Sequence, residues 1–89
     1  MSPQTEELAR RLAELQAELD RTQSVDPKSR ELLEHVQRNI DSVLERSDEF
    51  GRRSLRERLE IAIRHFETSH PVLTATMGSV MDQLANLGI

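Results

Sequence analysis

Three histidines, His35, His65 and His70, are the side chains of this sequence most suited to metal binding or proton transfer. Two metal ligands on one helical face are best placed four residues apart, as in HExxH. His65 and His70 are five apart, and Glu67 between them has suitable spacing to neither. The chain also lacks cysteine, which removes thiolate ligands. We therefore expect no metal site and no cofactor.

His70 has a second interpretation because it is the polar member of an otherwise apolar series. A polar group in such a series can fix register or respond to pH. The alternative is a histidine that only forms a hydrogen bond beside Pro71. No serine, threonine or carboxylate has an evident base or orienting partner in the sequence. The sequence predicts no catalytic residue and no enzyme.

Arginines cluster in the segment 46–58, which holds five of them against three acids, although the whole chain has a net charge of −4. Three of these arginines could contact phosphate: Arg52, Arg53 and Arg56. Interleaved aromatic residues, a glycine-rich loop and a recognition-helix signature are missing from the segment. Ion pairs and solvated charges are the simpler explanation. A nucleic-acid-associated regulator that uses this turn is the alternative function.

The elements that must position these side chains are helices. Leucines in steps of four and three predict a first helix over Gln4–Thr22. Asp26 followed by Pro27 is typical of a helix start, and the second helix should run to Arg46. The short connection between helices of similar length favours an antiparallel hairpin.

The most regular pattern begins at Ser54, which forms a capping box with Glu57, and continues to Leu87. Its members, which are all apolar except His70, follow one another in alternating steps of four and three residues without a change of phase: Leu59, Ile63, Phe66, His70, Leu73, Met77, Val80, Leu84 and Leu87. This series predicts one long helix kinked near Pro71, although proline is costly inside a helix. In the alternative, His70 or Ser69 caps a separate fourth helix that has Pro71 in its first turn.

Charge is nearly absent from the C-terminal quarter. From Thr68 onward, Asp82 is the only Asp, Glu, Lys or Arg. A surface helix normally carries charged side chains, so this helix should be covered on several sides, with a second copy in a twofold dimer as the default cover. The chain is thus predicted to be a single all-α domain over residues 1–89 that forms an oligomeric bundle. The apolar series and His70 would form the interface of a non-enzymatic oligomerisation or protein-interaction module.

The sequence also bears on location. It begins without an apolar leader and contains no run of about 20 apolar residues, the length of a membrane-spanning helix. The cytoplasm is the expected compartment, and neither membrane nor nucleic acid is an expected partner.

Two motifs are distinctive. A Phe-Glu pair is followed by His-Pro-x-Leu-Thr, and the sequence closes on Leu-Ala-Asn-Leu-Gly-Ile; the positions are Phe66, Glu67, His70, Pro71, Leu73, Thr74 and 84–89. With these motifs the chain resembles an uncharacterised bacterial family, the domain of unknown function 4404, and the region Leu12–Val36 is also similar. The resemblance implies a short, wholly helical protein. It implies no activity, substrate or cofactor.

Overall fold

The computed structural model describes residues 3–22, 26–46 and 48–88. These residues form four helices and no strand: α1 (Pro3–Arg21), α2 (Pro27–Arg46), α3 (Glu49–Phe66) and α4 (Pro71–Asn86). The molecule measures 38 × 19 × 19 Å. The all-helical prediction is confirmed.

The start of α2 follows from Asp26 and Pro27. Asp26 Oδ1 accepts a hydrogen bond of 2.7 Å from the Ser29 backbone N–H. This bond satisfies one of the amide groups that the first helical turn leaves without an internal partner. Pro27 occupies the first helical position, where its missing N–H removes no hydrogen bond. The sequence predicted both features.

Helix packing differs from a simple hairpin followed by a third helix. α1 packs mainly against α4, α2 packs mainly against α3, and α3 also packs against α4. Of the four pairs of helices that touch, α1 and α2 have the smallest contact, so the pair that the sequence joined as a hairpin is not the main packing unit. The apolar faces of α1 and α2 instead meet the helices of the C-terminal half. The connecting residues 23–25 lie outside the described part of the chain.

The core runs the length of the four helices and takes one face of each. Its buried apolar side chains are Leu8, Leu12, Leu15, Leu33, Val36, Ile40, Val43, Leu55, Leu59, Ala62, Phe66, Leu73, Met77, Val80 and Leu84. Complete burial of a Val, Leu, Ile, Phe or Met side chain contributes about 1.5–3 kcal/mol. This shared core holds the outer surface of α4 in place.

The start of α3 corrects one prediction. The helix begins at Glu49, with Asp48 rather than Ser54 as its N-cap, and Asp48 Oδ1 accepts the Gly51 N–H at 2.7 Å. A carboxylate that reaches a first-turn amide starts the helix six residues earlier than the capping box predicted. Gly51 therefore lies inside the helix. The side chain of Phe50, in the first turn, is 69% exposed.

The prediction of one long helix kinked near Pro71 is wrong, and the alternative with a separate fourth helix is what the structure shows. α3 ends at Phe66, and the N–H of His70 closes the turn on the Phe66 carbonyl at 2.8 Å. His70 has φ −137° and ψ 69°, outside the helical region, as a residue before proline prefers. α3 and α4 then pack against each other, which two halves of a kinked helix could not do along their length. The unbroken spacing arises because each helix turns its own apolar face to the same core.

Candidate interaction surface

The outer face of α4 is the least charged helical surface of the molecule. We define it by the exposed residues of the helix together with Gly78 and Ser79, which are half-buried between them: Pro71, Val72, Ala75, Gly78, Ser79, Asp82, Ala85 and Asn86. Val72 is an apolar side chain with 64% of its surface exposed. Asp82 is the single charged residue on this face.

The other helices expose a different chemistry. Eight of the eleven exposed residues of α2 carry charge, as do five of eight on α3 and five of ten on α1. On α4 the proportion is one of six. The contrast shows that the low charge of the C-terminal region is not explained by burial inside this chain alone.

Gly78 lies in the middle of α4, on the outer side of the helix. A Cβ built at this position meets no atom within 4 Å. Glycine inside a helix costs roughly 0.5–1 kcal/mol relative to alanine. Packing within the described chain therefore gives no reason for a glycine here.

One side of α4 is fixed by α1. Arg11 Nη1 donates to the Ser79 carbonyl at 2.8 Å, and Gln83 Nε2 donates to the Gln4 carbonyl at 3.1 Å. Glu7 orients the arginine by accepting from its Nε at 2.9 Å, and this hydrogen bond holds the pKa of Glu7 below its usual value. These contacts hold α4 against α1.

Most residues of the predicted interface series do not lie on the outer face of α4. Six members are at most 2% exposed and belong to the core of the chain itself: Leu59, Phe66, Leu73, Met77, Val80 and Leu84. Ile63 and Leu87 are partly buried against that core. Side chains enclosed by their own chain cannot form a surface for a second copy, so the six core residues are corrected from interface to core.

His70, the polar member of the series, caps the start of α4 without a side-chain hydrogen bond to the helix. Its Nδ1 lies 2.8 Å from Ser69 Oγ, and its ring meets the Phe66 ring edge-on, with the ring centres 5.3 Å apart. The half-buried ring thus packs locally at the turn between α3 and α4. This arrangement fits the interpretation of a histidine bonded beside Pro71.

Two of the three arginines proposed for phosphate contact form ion pairs with glutamates. Arg53 pairs with Glu49 at 2.6 Å, and Arg56 pairs with Glu60 at 3.5 Å, each across one helical turn. Arg52, the third candidate for phosphate contact, is half-buried. No observation on these residues favours phosphate binding, and the ion pairs match the simpler explanation.

A second histidine contact escaped sequence reasoning. Ser29 Oγ, buried in α2, lies 2.8 Å from Nε2 of His65 in the last turn of α3. The backbone and side-chain hydrogen bonds of Ser29 lower the pKa of Asp26, and the nearby His65 lowers it further. The three residues link the start of α2 to the end of α3. Because Ser29 and His65 are 36 positions apart, no local spacing could have indicated the pair.

Neither metal binding nor membrane insertion finds support in the described residues. Over the ranges 3–22, 26–46 and 48–88, no group of three His, Asp or Glu side chains could hold a metal ion. None of the four helices is both long and apolar enough to cross a membrane.

Comparison with known proteins gives one result. A search of curated proteins and a search of solved structures find no match. The model of a protein family, described as domain of unknown function (DUF4404), matches residues 8–89, nearly the whole chain. The match includes both motifs on which the resemblance rests and all of α2, α3 and α4. The chain therefore belongs to the DUF4404 family.

Proposed function

We propose that this protein is a non-enzymatic self-association module whose contact surface is the outer face of α4. The observation that carries the proposal is the contrast in exposed charge between α4 and the other three helices. Water solvates a charged helix face well. A face with one carboxylate among small and apolar residues is more stable when a partner covers it.

A second copy is the partner that this surface fits best. The chain has a net charge of −4, so two copies repel each other over most of their surfaces. The outer face of α4 carries a single charge, so a contact between two such faces adds little to that repulsion, and a twofold axis places the same face on both partners.

The dimensions of the molecule also suit a dimer. One long side measures 38 × 19 Å. In projection this whole side is about 700 Å², so an interface of standard size, with roughly 800 Å² from each partner, would use all of it. α4 would form the centre of the contact, and the neighbouring surfaces of α1 and α3 would form its rim.

The test compares two exposed alanines, Ala75 on the outer face of α4 and Ala17 on α1. Ala75→Arg places a charge in the proposed interface and should convert a dimer to a folded monomer. Ala17→Arg adds the same charge to a solvated surface and should leave the mass unchanged. Light scattering on separated samples measures the masses, and circular dichroism checks that both variants remain helical. An Ala75→Arg protein that keeps the wild-type oligomeric mass would exclude this face.

A further inference from the structure

We propose that two copies pair through antiparallel α4 helices whose closest approach is at Gly78. This arrangement rests on the proposed function and specifies the geometry of the same surface. Two observations carry it: an unexplained glycine in the middle of the helix, and the position of the single acid on the face.

Gly78 identifies the point of contact. Nothing in the described chain lies within 4 Å of a Cβ at this position, so alanine would fit and would favour the helix. A glycine is required where another backbone comes too close for a side chain. Its neighbours on the outer face, Ala75 and Ser79, are also small and let a second helix approach. The contact of Arg11 with the Ser79 carbonyl holds α1 at the same level and keeps this part of α4 in place.

Asp82 identifies the direction. In a parallel pair in register, Asp82 of one copy would face Asp82 of the other, and like charges in a contact that excludes water repel strongly. In an antiparallel pair centred on Gly78, each Asp82 lies one turn to opposite sides of the centre. Since a helix rises 1.5 Å per residue, the two carboxylates are then about 12 Å apart along the axis. The antiparallel pair places each of them level with the small residues Thr74 and Ala75 of the partner helix.

Disulfide trapping tests the direction. The chain contains no cysteine, so single substitutions report without background. Val72 and Ala85, both exposed, lie at similar distances on either side of Gly78. Val72→Cys and Ala85→Cys proteins are mixed in equal amounts and oxidised with copper phenanthroline, and the products are separated by mass. Ala17→Cys serves as the control for random collision.

The antiparallel arrangement predicts that the mixed Val72–Ala85 disulfide forms in at least fivefold excess over either disulfide between identical variants. A parallel pair would give mainly the identical-variant products and would overturn the proposal. A wild-type dimer that traps none of these products faster than Ala17→Cys also overturns it, while self-association through another surface would stand. A wild-type chain that is monomeric at every concentration removes the proposed function together with this geometry.

A larger side chain at position 78 tests whether two helices approach closely at Gly78. Gly78→Gln adds a long uncharged side chain that the isolated chain can accommodate, and it should weaken self-association at least tenfold in sedimentation equilibrium. Ala17→Gln should leave association unchanged. A Gly78→Gln protein that associates as tightly as wild type would show that no helix approaches at this position.

Discussion

α2 and α4 have the same kind of inner face and opposite outer faces. Each contributes four apolar side chains to the core: Leu33, Val36, Ile40 and Val43 from α2, and Leu73, Met77, Val80 and Leu84 from α4. Outward, α2 is covered with Lys, Arg, Asp and Glu, whereas α4 shows Val72, two alanines and one acid. The inner faces explain why the chain folds. The outer faces differ in what covers them. Water solvates the outer face of α2, and we propose that a partner covers the outer face of α4.

The largest difference in stability should appear between substitutions at two adjacent residues of α4, one on its inner face and one on its outer face. Leu84 is fully buried, and Ala85 is exposed. Leu84→Asp forces a carboxylate into the core and leaves a cavity, which costs several kcal/mol and should unfold the chain. Ala85→Asp should remain folded but monomeric. Urea unfolding and light scattering distinguish the two, and a folded Leu84→Asp protein of wild-type stability would disprove the assignment of Leu84 to the core.

The next effect tests whether the inner faces of α2 and α4 are equivalent. Ile40 and Met77 are both fully buried. Truncation of either to alanine should lower the free energy of unfolding by about 2–5 kcal/mol, because it removes buried apolar surface and leaves a cavity. Chemical denaturation measures both losses at a concentration where the chain is monomeric. If Met77→Ala cost nothing there while Ile40→Ala cost several kcal/mol, α4 would not be part of the core of a single chain.

Loss of a helix cap should have a smaller effect. Asp48→Ala removes the acceptor of the Gly51 N–H and should destabilise the chain by about 0.5–2 kcal/mol. Ser54→Ala, at the start that the sequence predicted, should cost less, because Ser54 lies within α3. Thermal unfolding of the two variants provides the comparison. A larger loss for Ser54→Ala would favour the predicted cap.

The pH dependence of stability should report on the cap of α2. The pKa of Asp26 is lower in the folded chain than its usual value of 3.8, mainly because of its hydrogen bonds from Ser29. A lowered pKa stabilises the fold at pH values above the unfolded pKa, and this contribution is lost as the pH falls through the folded pKa. The pKa of Glu7 is also lowered, mainly by its hydrogen bond from Arg11, so Glu7 too stabilises the fold less as the pH falls. Stability should therefore decrease from pH 5 to pH 3, and less steeply in Asp26→Asn. An equal slope in wild type and variant, measured by urea unfolding, would contradict the role of this carboxylate.

The smallest effect compares two glycines inside helices. Gly78→Ala should raise the stability of the monomer by about 0.5–1 kcal/mol, since a Cβ there meets nothing. Gly51→Ala should gain less or lose stability, because the added Cβ would lie 3.1 Å from Oδ1 of Asp48, the capping atom of α3. Denaturation at low protein concentration measures both. Destabilisation by Gly78→Ala under those conditions would show an intramolecular need for the glycine.

Much of the fold could be predicted from the sequence because the signals are local. Leucine spacing located α1 and α2, and Asp26 with Pro27 marked the start of α2 to the residue. The kink near Pro71 was wrong because regular spacing reports that both sides face a core, not that the chain continues straight. At the start of α3 the structure has Asp48 as the N-cap. The pair of Ser54 and Glu57 matches the capping-box pattern, so the sequence predicted a later start.

The candidate site was less accessible to sequence reasoning. Periodicity shows that Leu73 or Met77 is covered, but not whether its own chain or a partner covers it. The sequence therefore predicted an interface where the structure has core side chains. The low charge of the region was visible in the sequence, yet only the fold shows which uncharged residues face outward. The contact between Ser29 and His65 depends on tertiary packing and left no sequence signal.

The proposed dimer depends most on whether the outer face of α4 is covered in solution. The most direct measurement is the mass of the wild-type chain by light scattering over a wide range of concentrations, with Ala75→Arg and Ala17→Arg measured beside it. The proposed dimer predicts twice the mass of one chain for wild type and Ala17→Arg, and the mass of one chain for Ala75→Arg. A wild-type protein that stays folded with the mass of one chain at the highest concentration would contradict it.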